Sequence, residues 1–115
     1  MKTAAVAALM CVSIAVTLPA PARAADQPID RDASLKVCAS MSKIANTIMR
    51  SRQTGVQMSA LIEGVHGRGP AAGTVEKMVI AAYDQPRMVT QEMQDRAVED
   101  FENEMYLRCV KRVTK

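Results

Sequence analysis

Cysteine, histidine and methionine are the residues of this 115-residue chain whose types and spacing could do chemistry. The cysteines are Cys11, Cys38 and Cys109. Cys11 lies in an apolar N-terminal run, with Met10 before it, a poor match to a lipid-attachment site. If that run is an export signal, Cys11 leaves with it. Cys38 and Cys109 then remain as an even pair in an oxidising compartment, and a disulfide between them is the expected chemistry. Such a bond closes a loop of residues 39–108 and is worth roughly 4 kcal/mol on the chain-entropy argument. Two free thiols or an intermolecular bond are the competing readings.

His66 is the sole histidine and sits in Gly64-Val65-His66-Gly67-Arg68-Gly69-Pro70. A histidine-activated nucleophile would have to use it. With the cysteines assigned to a disulfide, only serine or threonine is left to activate, and no Gly-x-Ser-x-Gly elbow occurs. The glycines of the same loop invite an anion-binding reading ahead of a helix. Their spacing misses the dinucleotide fingerprint, no strand precedes them, and the lysine of a P-loop is missing. The segment reads as a connector carrying an exposed histidine.

Seven methionines lie beyond residue 24: Met41, Met49, Met58, Met78, Met88, Met93 and Met105. Thioether copper(I) ligation is conceivable in an exported protein. Most of them coincide with apolar helical seams, where methionine fills core gaps. The acidic residues Asp95, Glu99 and Glu102 read as a solvated face, because acid–base catalysis needs carboxylates in contrasting environments. No catalytic residue, metal site or cofactor is therefore expected, and the chain reads as non-enzymatic.

The N-terminus sets the compartment. Lys2 precedes an apolar run from Ala4 to Leu18, and Ala22-Arg23-Ala24 offers the small-x-small cleavage pattern. The run is about 15 residues, short of the roughly 20 needed to span a bilayer, and Pro19 and Pro21 follow it. Residues 1–24 are read as a cleaved signal peptide, which makes the protein periplasmic or secreted with no stable membrane span. The formal charge of +3 contains Lys2 and Arg23; without them 13 basic residues face 12 acidic ones. That balance, with no Trp, two Tyr and one Phe, excludes a nucleic-acid surface built on a basic stripe and stacking platforms.

The elements that position these residues are helical. Residues 25–33 read as a flexible arm and 34–115 as one helical domain. Asp32 or Ser34 is the expected cap of a first helix with an apolar stripe of Leu35, Cys38, Met41, Ala45 and Ile48, stopped at Gly55. Ser59 is the expected cap of a short second helix, and Thr74 of a third that ends before Pro86. A last helix is expected from Thr90 to about Lys111, acidic first and basic last, with Glu104 able to pair with Arg108. No segment alternates as a strand does. The fold class is all-α: a compact bundle of about four helices, two long and two short, clamped by one disulfide. Cys38 is near the start of the first helix and Cys109 near the end of the last, so a bond between them favours an antiparallel arrangement of the two.

Ile48-Met49-x-x-Arg52-Gln53-x-Gly55, Ala82-Tyr83-x-x-Pro86-Arg87 and Phe101-x-Asn103-Glu104 before Cys109 give the chain a resemblance. It resembles a family of short exported proteobacterial helical proteins with one cysteine in each terminal helix. That implies a periplasmic helical domain and brings with it no activity and no binding residues. Two functions follow as expectations. One is a protein-binding inhibitor, immunity or accessory module whose partner is another exported protein, with His66, Arg68, Tyr83 and Arg87 as contact positions, since Tyr and Arg are enriched at hot spots. The other is a stress chaperone, loosely similar to small acid-activated helical chaperones. In acid its carboxylates neutralise, and the unbalanced basic residues loosen the apolar seams.

Overall fold

The computed structural model describes residues 30–115. The signal-peptide reading, and residues 25–29 of the expected arm, lie outside the described residues. The described residues form four α-helices and no strand: α1 (Arg31–Thr54), α2 (Met58–Val65), α3 (Ala72–Tyr83) and α4 (Gln91–Val113). The all-α bundle of two long and two short helices is therefore the fold.

Antiparallel pairing of α1 with α4 can be followed contact by contact. Cys38 is bonded to Cys109 with a Cα–Cα distance of 5.5 Å. Further along, the Asn46 carboxamide donates to Glu102, and Arg50 Nη1 lies 3.3 Å from Asp95 Oδ1. As α1 advances, its partners on α4 recede. The exposed Arg50–Asp95 pair contributes at most about 1 kcal/mol, so this seam is held by the covalent bond at one end and by apolar packing between. α3 lies against α1, and α2 against α3.

The core is the apolar stripe of α1 meeting those of α3 and α4. Ala45, Ile48 and Met49 come from α1, Met78, Val79 and Ala82 from α3, and Val98, Phe101 and Met105 from α4. Phe101, Met49, Val79 and Val98 are almost wholly buried, each worth about 1.5–3 kcal/mol relative to exposure. Met41 and Met58 pack against the edge of this cluster. Core filling thus accounts for Met41, Met49, Met58, Met78 and Met105, whereas Met93 is exposed.

Helix starts differ from the expectations at three points. α1 begins before Asp32: the cap is Asp30, whose carboxylate accepts from the Asp32 amide at 3.0 Å, so residues 31–33 of the expected arm are helical. α2 begins at Met58, with Ser59 inside it and no side-chain cap. α3 begins at Ala72, with Thr74 in its first turn. In both short helices an apolar residue, Met58 or Ala72, is drawn inward and starts the helix two or three positions earlier than the polar cap signal indicates. Where no apolar residue competes, the signal holds: Thr90 caps α4 by accepting from the Met93 amide at 3.2 Å. α4 then continues to Val113 and includes the Glu104–Arg108 pair.

Candidate functional site

The C-terminus of α1 and the turn between α3 and α4 form one hydrogen-bonded junction. It begins with the stop of α1. Gly55 takes φ +89°, its amide bonds the Arg52 carbonyl, and the Val56 amide bonds the Ser51 carbonyl at 3.0 Å. This is the Schellman arrangement that glycine permits without a Cβ penalty. The Arg87 guanidinium lies against this glycine, 3.1–3.2 Å from where a Cβ would stand.

Gln53, one residue from the end of α1, is 1% exposed. A carboxamide so deeply placed must find partners for both its ends. Its Nε2 donates to the Pro86 carbonyl at 3.2 Å and its Oε1 accepts from the Met88 amide at 2.7 Å. One side chain of α1 therefore satisfies the backbone on both sides of residue 87. Arg87 Nε returns a bond to the Gln53 carbonyl at 2.9 Å, and Gln94 Nε2 of α4 donates to the Met88 carbonyl at 2.9 Å. Arg52 adds a third tie, donating from Nε to the Gln85 carbonyl at 3.2 Å with its guanidinium carbon 5.1 Å from the centre of the Tyr83 ring. The Tyr83 hydroxyl donates to the Val56 carbonyl. Among the described residues no buried side-chain nitrogen or oxygen lacks a partner.

The result is an irregular turn whose backbone is held from three helices. Immediately after it, Val89 is 91% exposed. Val56 and Met93, on the segments that flank the junction, are also exposed apolar side chains. The cost of fixing this backbone has been met within the fold, while Val89 beside it faces water.

The four sequence-derived contact positions divide into two pairs. Tyr83 and Arg87 are both in the junction, where the Tyr83 hydroxyl and Arg87 Nε are already bonded to the chain. His66 and Arg68 are exposed on the α2–α3 connection, where His66 Nδ1 lies 2.9 Å from Glu76 Oε1 on α3. The structure does not bring the two pairs into one network of bonds. Arg52, Gln53, Gly55, Tyr83, Pro86 and Arg87, which are motif positions in the sequence, do come together.

Sequence reasoning gave Gln53 no role. The signal was its position, four residues after Met49 and eight after Ala45, which puts a carboxamide on the buried stripe. Gln85, Met88 and Gln94 carried no such signal, because their backbone and amide bonds depend on how the turn folds.

Compared with known proteins, the chain matches no family model, no curated protein and no solved structure.

Proposed function

We propose that this is a small exported protein-binding module, an inhibitor, immunity or accessory protein, that engages another exported protein through the turn following Pro86. The observation that carries this reading is Val89, a large apolar side chain almost fully exposed next to Met88, whose amide and carbonyl are held by Gln53 and Gln94. Exposed apolar side chains grouped with Tyr and Arg have the composition of binding hot spots. A contact that is already ordered loses little entropy on association. Tyr83 and Arg87 contribute on this reading by supporting the contact as well as bordering it. The Cys38–Cys109 bond is compatible with an oxidising compartment.

An acid-stress chaperone is the second reading. Two side-chain hydrogen bonds between α1 and α4, Asn46 with Glu102 and Arg50 with Asp95, each use a carboxylate. Loss of carboxylate charge in acid would remove the Arg50–Asp95 ion pair, which lies toward the end of the seam that lacks the disulfide.

Capture from a Gram-negative envelope extract on the immobilised oxidised protein separates the two. At neutral pH one stoichiometric partner is expected, with retention reduced at least tenfold by Val89→Glu. No partner, or one retained equally by the variant, would remove the 86–89 turn as the binding surface. Many unfolded clients captured only near pH 3 would put the chaperone reading in its place.

A further inference from the structure

A second surface lies toward the other end of the bundle, about 15 residues along α4 from Met93, or roughly 23 Å at 1.5 Å per residue. There α3 and α4 leave a cavity of about 210 Å³ between them. Met41 of α1, Met78 of α3 and Met105 of α4 form its apolar part, and Cys109 of the disulfide borders it. Methionine suits such a wall, since its unbranched side chain adapts to an apolar occupant.

The polar lining has one predominant sign. Lys77 comes from α3 and Arg108 and Arg112 from α4, with the Thr74 hydroxyl in the first turn of α3. Arg108 is paired with Glu104. Among the described residues Lys77 and Arg112 have no ion-pair partner. Three cations against that one carboxylate leave the lining about two charges positive. The first turn of α3 adds to this, and the partial negative charge at the C-terminal turn of α4 is smaller than the full charges of the two arginines.

We infer that this cavity binds a single-chain amphiphile ending in a carboxylate, its acyl chain against Met41, Met78 and Met105 and its head toward Lys77, Arg108 and Arg112. The volume is below the roughly 300–1,000 Å³ of ordinary small-molecule pockets and suits a single acyl chain. The anionic head follows from the unpaired cations.

The test is titration of the oxidised protein with hexanoate, octanoate and decanoate below their micellar concentrations, followed by calorimetry and by NMR of the methionine methyls. Each added methylene that enters the cavity tightens binding about fourfold, the fold-change equivalent of about 0.8 kcal/mol. The methyls of Met41, Met78 and Met105 move, and that of Met93 at the far end does not. Lys77→Gln with Arg112→Gln weakens decanoate at least tenfold while leaving the helical circular dichroism unchanged. Decanol binding as tightly as decanoate, or absence of shifts at the three methyls, would overturn the proposal. So would binding only to decyl phosphate, or only to vesicles of phosphatidylglycerol with none to free decanoate. The partner-binding reading can fail in the Val89→Glu experiment without touching this result.

Discussion

Gln53→Leu is expected to lower the melting temperature by about 10–25 °C with little change in the shape of the helical spectrum. The substitution keeps an apolar stem of similar size but removes both ends of the carboxamide. The Pro86 carbonyl and the Met88 amide then lose their partner. A fully buried backbone group left without a hydrogen bond costs about 1–3 kcal/mol; these two are part-buried, which puts the pair in the lower part of the summed range, at about 2–4 kcal/mol. In a domain of this size each kcal/mol shifts the midpoint by about 4–8 °C. Gln53→Glu sharpens the test. A buried carboxylate accepts from the Met88 amide but sets its second oxygen against the Pro86 carbonyl, and burial raises its folded-state pKa. The deficit is therefore full above that raised pKa and shrinks as pH falls toward the ordinary glutamate value of about 4.3. A protonated carboxyl can donate to Pro86 while still accepting from Met88. Thermal scans of both variants from pH 7 to pH 4, each compared with wild type at the same pH, check this. A Gln53→Leu shift under about 4 °C would mean that water replaces the carboxamide.

Removing the Cys38–Cys109 bond has the other large effect. The bond spans a sequence separation of 71 residues, and the chain-entropy argument assigns such a loop about 4 kcal/mol. Cys38→Ala with Cys109→Ala is expected to lower the melting temperature by about 15–30 °C. Guanidinium unfolding of the variant against oxidised wild type measures it. The loss is local before it is global, since the start of α1 and the end of α4 have few other ties, whereas the Phe101 layer and the Gln53 junction lie farther along the bundle. Amide exchange should therefore quicken first around Cys38 and Cys109, and the cavity bordered by Cys109 should lose its shape. A double variant within 1 kcal/mol of wild type would show that the helix packing alone sets this end.

Much of this architecture was legible because it rests on periodicity. The stripe from Cys38 through Met49 and the seam from Ala97 through Met105 each repeat at three- and four-residue steps, and both are the buried faces. Gly55 and Thr90 were legible as stop and start because a left-handed stop and a hydroxyl cap are local requirements. The starts of α2 and α3 were not, since Met58 and Ala72 answer to a core that sequence neighbours do not reveal. Tyr83 and Arg87 were singled out for exposure and composition, yet both are tied within the chain. That commitment depends on the end of α1 meeting the 84–90 turn, 30 or more residues away. The cavity was illegible for a similar reason: Lys77 and Arg112 look like ordinary solvated charges until α3 and α4 are placed side by side.

Everything at the Pro86 end depends on the turn being rigid before any partner arrives. The direct measurement is hydrogen exchange at the Met88 amide in the free, oxidised protein. An amide bonded to a buried carboxamide at 2.7 Å should exchange as slowly as the core amides of α1 around Met49, and Gln53→Leu should release it. Exchange in wild type at the rate of an unstructured loop would contradict a preformed contact at Val89.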